Sequence, residues 1–171
     1  MLKAPIMKSF FKDKWVQIGT LATTVLAVCA AISALKGGGY STKTQVTTTQ
    51  VANTWAYYQA KSIKQTILKS ESDIFLAMGK KDLSEKAKTI NEDIVRYEKE
   101  KAEIKLKAEK LDDDIKIYRK SAGYFGLAVM LLQIAIMLNS VGILLKRQPL
   151  WYLGLSFGVF GIIYMVCGFL L

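Results

Sequence analysis

The chain has 171 residues, room for about one domain, with 51% apolar and 22% charged residues and a net charge of +10. The apolar and charged residues are segregated: 15–36 and 121–171 carry almost no charge beyond Lys36 and Lys146-Arg147, whereas 41–120 is mostly Lys, Glu and Asp between regularly spaced apolar positions. This excludes a single water-soluble core, and the lack of any histidine removes the commonest general base and metal ligand.

The charge is unevenly placed. The first 14 residues give +3, residues 41–81 give +4, and 82–120 balance eleven basic against eleven acidic residues. Basic residues at span borders suit anionic lipid headgroups. Nucleic acid is not expected, because the longest basic helix is neutralised by its own acids. Cys29 and Cys167 lie in apolar stretches without a CxxC spacing and read as small buried hydrophobes; no metal or cofactor is expected.

Residues 1–14 (MLKAPIMKSFFKDK) are basic and amphipathic and suit a short interfacial segment. Residues 15–36 follow, uncharged until Lys36; 22 residues span about 33 Å, enough to cross a bilayer core of about 30 Å. The apolar run is long for a signal peptide, and Val28 is large for the position before a lipoprotein cysteine, so a retained first span is expected. Its small residues Gly19, Thr23 and Ala27 form a stripe that lets helices approach closely, and are candidates for an oligomer or partner interface.

KGGGYST comes next. Gly37, Gly38 and Gly39 are poor helix formers, so a hinge is expected there, with Thr42 and Gln45 as a capping box for the following helix. A phosphate loop is excluded, because the GxxxxGK[ST] spacing is absent.

Segment 41–120 reads as an α-helical hairpin outside the membrane, turning at 79–82, where Gly79 ends one helix and Asp82 or Ser84 caps the next. In the second arm Leu83, Ala87, Ile90, Ile94, Tyr97, Lys101, Ile104, Ala108, Leu111, Ile115 and Tyr118 follow one another at spacings of four and three. That is a heptad seam, interrupted only by Lys101. The first arm offers Val46, Thr49, Asn53, Ala56, Ala60, Ile63, Ile67, Ser70, Ile74 and Ala77 at the same spacings. One antiparallel register sets Ile94 opposite Ile67, Tyr97 opposite Ile63, Ile104 opposite Ala56 and Lys101 opposite Ala60. Lys101 there either fixes the register or lays its stem over Ala60 while its amine reaches water, and the second is expected. About 37 residues per arm make about 55 Å. Asp82–Lys86, Glu92–Arg96, Glu103–Lys107 and Asp112–Lys116 are spaced for acid–base pairing along the helix. Val51, Trp55, Tyr58, Leu68 and Phe75 fall off the seam, and we expect this second stripe to meet another copy, another protein or the membrane surface.

From Ser121 the charge disappears again. Residues 122–145 and 149–171 read as two further spans joined by a tight connection, with Trp151, Tyr152 and Tyr124 at their borders. Gly154, Gly158 and Gly161 line a close-packing face and are further interface candidates. Gln133, Asn139 and Ser140 are polar at depth; interhelical hydrogen bonding is the expected use, a solute path the rival. The Lys-rich N-terminus and Lys146-Arg147 share one side of the membrane, which the positive-inside rule makes cytoplasmic, with the hairpin on the other.

At KGGGYST, WAYYQAKSIK, RYEKEKAEI, FGLAV, LLQIAI and PLWYLGL the chain resembles a bacterial membrane family catalogued as domain-of-unknown-function family 4337, from about Trp15 to the C-terminus. The resemblance implies an integral membrane protein of bacteria and supplies no activity, ligand or catalytic residue; the expected location is the bacterial inner membrane, crossed more than once. The expected fold class is thus an all-α membrane protein: three transmembrane helices with a long antiparallel coiled-coil hairpin between spans 1 and 2. The expected function is a non-enzymatic, self-associating scaffold. The alternatives are a channel with Gln17, Thr20, Thr24, Gln133 and Asn139 along its path, or an accessory subunit of a larger membrane complex.

Overall fold

The computed structural model describes residues 14–78 and 81–170. They form three α-helices with no strand among them: α1 (Lys14–Ala77), α2 (Lys81–Leu144) and α3 (Gln148–Leu170). Each is long and apolar enough, by length and composition, to cross a membrane. The basic segment before Lys14, the expected turn at Gly79, and the side chains of Asp82 and Ser84 lie outside the described residues.

The expected hinge at Gly37–Gly39 is not there. Helix α1 runs through all three glycines as one 64-residue α-helix. The capping box fails with it, since a helix that does not start at Thr42 has no free amides to cap; Thr42 Oγ1 instead donates to the Gly38 carbonyl at 3.0 Å. Thr48, Thr49, Thr54 and Thr66 likewise donate to carbonyls four residues back, which satisfies their hydroxyls inside a helix that their propensity disfavours. Helix α2 is equally continuous from its charged half into its apolar half.

Two compact units divide the chain: Met1–Thr42 with Ile117–Leu171, and Lys43–Lys116. In the first, Leu26 and Ala30 of α1 meet Leu132 and Ala135 of α2, with Cys29, Ile136, Phe157 and Ile162 packed around them. In the second, Ala87, Ile94 and Ala108 of α2 are buried on one face. The buried positions of α1 there are polar: Thr47, Gln65 and Ser72.

Helix α2 ends at Leu144 in a backbone cap. Lys146 is left-handed at φ 53°, its amide donates to the Ile143 carbonyl at 3.2 Å, and the Arg147 amide reaches back to Gly142 at 2.9 Å. This closing pair of bonds normally uses glycine at the left-handed position. A lysine holds it here, and Pro149 then sits in the first turn of α3, where its missing N–H costs no helix bond.

Candidate functional site

Within Lys43–Lys116 the two arms meet through a polar layer. Gln65 is 4% exposed. Its Nε2 donates to the Ile94 carbonyl at 3.3 Å and to the Glu98 carboxylate, while its Oε1 accepts from Lys101 Nζ at 2.8 Å. The Lys101 amine also sits 5.4 Å from the centre of the Tyr58 ring. One turn away along α1, Lys61 Nζ pairs with Glu100 at 2.6 Å and lies 4.7 Å from the Tyr97 ring centre and 5.5 Å from that of Tyr57. The hydrogen bond from Gln65 and then the charge of Lys101 hold the Glu98 carboxyl below its ordinary value. The bond to Glu100 holds the Lys61 amine above its own. The expectation that the Lys101 amine reaches past Ala60 to water is therefore corrected: it is bound to a buried amide.

These contacts overturn the predicted seam on the first arm. All ten seam positions from Val46 to Ala77 are exposed. Ile63, Ile67 and Ile74 are 61, 60 and 54% exposed, and Val46 52%. The stripe facing α2 is the one expected to meet another copy, another protein or the membrane surface: Val51, Trp55, Tyr58, Leu68 and Phe75 are half-buried within the chain. Trp55 and Tyr58 meet edge to face, 5.5 Å between centres. On α2, Ile90, Ile94, Tyr97, Ile104, Leu111 and Ile115 all lie on the covered side. The first arm is thus rotated by about half a turn from the expected face.

The reason is chemical. Both faces of α1 repeat at the same period, but only the Tyr58–Gln65 face brings a buried amide and a lysine to the acids and Lys101 of α2. Aromatic rings there also bury more area than the Ile/Ala alternation would. The heptad count was the signal that misled; Gln65 and Lys61, opposite the acid-rich seam flank of α2, were the signal that could have corrected it.

Among the described side chains, which leave out Asp82, the pairs along α2 also differ from those predicted. Arg96 bonds Asp93 at 2.9 Å and approaches Glu100 at 3.7 Å, Lys105 approaches Glu109 at 3.9 Å, and Lys116 pairs with Asp113 at 2.7 Å in place of Asp112. Asp113 raises the Lys116 pKa by that hydrogen bond.

In the apolar unit the glycines bring the three helices together. A Cβ on Gly158 would lie 2.9 Å from Leu26, on Gly161 2.7 Å from Leu132, and on Gly154 it would collide with Asn139 Oδ1 and stand 3.0 Å from the Asn139 amide nitrogen. On Gly19 it would meet Trp151 Nε1 at 3.0 Å and Ile143 at 3.2 Å. These four positions, expected at an oligomer or partner interface, face the chain's own helices, because close approach within the chain already uses their missing side chains. Gly37 behaves the same way. Its Cβ would stand 3.0 Å from Phe125 Cβ, whereas Gly38 and Gly39 have nothing within 4 Å. Phe125 is fully buried, stacks on Tyr40 at 5.9 Å and meets Phe169 edge-on at 5.1 Å. Lys36 Nζ lies 5.6 Å from the Phe169 ring centre.

Asn139 is fully buried, and neither side-chain polar atom has a hydrogen-bond partner. Ser33 Oγ and Trp151 Nε1 are likewise buried without one. The expected interhelical hydrogen bonding at Asn139 is not made; Gly154 packs where a partner would stand. Ser140 bonds its own helix at Ile136, and Gln133 is exposed. Thr23 and Ala27 join Thr20, Thr24, Ser140, Ile143 and Leu144 in lining an open groove of about 480 Å³. The hydroxyls of all three threonines there donate to carbonyls four residues back. Cys29 and Cys167 are unpaired and half-buried.

Among the described residues, no group of three or more His, Cys, Asp or Glu side chains is placed to hold a metal ion. No curated protein and no solved structure matches the chain. The family described as Domain of unknown function (DUF4337) matches residues 15–171. A match over nearly the whole length settles membership: this protein belongs to the DUF4337 family.

Proposed function

We propose that this protein is a non-enzymatic membrane scaffold that assembles with copies of itself. Its three apolar helical stretches sit in the bacterial plasma membrane, with Lys-rich borders against anionic headgroups. The two charged arms form an antiparallel coiled-coil hairpin in water, on the periplasmic side, with the N-terminus cytoplasmic. The observation that carries the reading is that Val46, Ile63, Ile67 and Ile74, on one face of the charged arm of α1, are each more than half exposed. In water, an ordered apolar stripe of that length is seldom left bare.

The solute-path reading has less support. Asn139 is closed off behind Gly154, and the threonine hydroxyls along the open groove already bond their own helix.

The test is the mass of the full chain released from membrane under native conditions. A multiple of the 19.1 kDa chain mass is expected. A chain found singly, or only with a different protein, rejects the scaffold and favours an accessory role.

A further inference from the structure

We infer that the outer face of the α1 arm pairs with the same face of a second copy, parallel and in register. This inference deepens the scaffold reading and rests on it. The face is a complete heptad seam with Val46, Asn53, Ala60, Ile67 and Ile74 at the a positions and Thr49, Ala56, Ile63, Ser70 and Ala77 at the d positions. All ten are exposed, while the opposite face of the same helix is held against α2 by Gln65 and Lys61. A stripe that keeps a seven-residue period over this length is complementary to another helix of that period, not to a flat surface or a loop.

The residues themselves select a second copy as the occupant. Asn53 stands at an a position, between Val46 and Ala60 in an otherwise apolar or small-residue row. A side-chain amide carries both donors and an acceptor, so two asparagines facing each other across a parallel pair satisfy one another. A single asparagine at an a position is a recognised determinant of register and strand number in such pairs. The flanks agree: parallel pairing sets Gln59 beside Lys64 of the second copy and Thr66 beside its Glu71, so no like charges face each other. Ala56 and Ala60 are small and let the backbones approach. Copies inserted in one membrane in one orientation present their α1 arms pointing the same way, which makes the parallel arrangement the accessible one.

The test is site-directed cross-linking of the full-length protein in its own membrane, with Cys29→Ser and Cys167→Ser as background. Val46→Cys and Ile67→Cys are each treated with a short bifunctional maleimide. Both are expected to give a species of twice the chain mass, and Thr47→Cys, on the face buried against α2, to give none. Asn53→Leu is expected to weaken the Val46→Cys product by releasing the register.

Cross-linking through Ile67→Cys without Val46→Cys overturns the inference in favour of an antiparallel crossing, which would hold the two Val46 positions roughly 60 Å apart. A product containing a different protein overturns it in favour of a foreign helix. A native mass that is a multiple of the chain, with neither cysteine cross-linking, rejects this surface and leaves self-association standing. A single-chain mass removes both.

Discussion

The three consecutive glycines give the sharpest test of the fold, because a joint and a continuous helix predict opposite effects of alanine. Within a helix, glycine is about 0.8–1.0 kcal/mol less favourable than alanine. A Cβ on Gly38 or Gly39 meets nothing within 4 Å, so each replacement should keep that gain in full. Gly38→Ala with Gly39→Ala should then stabilise by about 2 kcal/mol, which for a chain of this size raises Tm by about 4–8 °C. At Gly37 the same methyl would stand 3.0 Å from Phe125 Cβ, with Phe125 backbone at 3.8 Å. Overpacking of that kind costs about 1–3 kcal/mol and cancels or reverses the helix gain. Three detergent-solubilised full-length proteins, followed by helical circular dichroism on heating, make the comparison. Melting of the Gly38/Gly39 double variant below the parent, with Gly37→Ala unaffected, would refute the continuous helix and restore the hinge.

Other outcomes follow from the polar layer and the span contacts. Gln65→Ala removes three hydrogen bonds from a buried site and should lower stability by about 1–3 kcal/mol in urea unfolding, whereas Ile63→Ala on the exposed face should cost far less in the single protomer. Glu98 is held below its ordinary 4.5, so it stabilises the arms above that pH, and this contribution is lost as pH falls through its lowered value. An acid titration of the parent should therefore show a loss of stability below about pH 4.5 that Glu98→Gln does not share. Lys146→Gly relieves a left-handed lysine and should stabilise by about 0.5–1 kcal/mol, read as a rise in Tm. Asn139→Leu replaces two buried, unpartnered amide atoms with methyls on the same branched skeleton and should stabilise by about 1–3 kcal/mol; a loss of stability would mean that the amide has a partner in the membrane or that the larger methyls crowd Gly154.

Much of this architecture was legible in the residues. The apolar stretches announce themselves by length and lack of charge, and the α2 seam by an unbroken three-and-four spacing with one apolar face. The α1 arm was harder, because it carries two stripes of the same period. The choice between them depends on what α2 offers across the gap, and Gln65 looks like an ordinary surface residue until Glu98, Lys101 and the Ile94 carbonyl are placed beside it. The glycines posed a similar difficulty. Local propensity reads Gly37–Gly39 as a break and Gly19, Gly154, Gly158 and Gly161 as a face for another molecule, but the close approach of Phe125, Trp151, Leu26, Leu132 and Asn139 arises only when the three helices pack.

The chain by itself therefore determined where its helices are apolar and where they are charged, since those properties belong to single residues and their spacing. Tertiary structure alone decided which face of α1 is covered and which glycines are close contacts. Those depend on pairs of side chains far apart in sequence, and a period common to two faces contains no information about the partner.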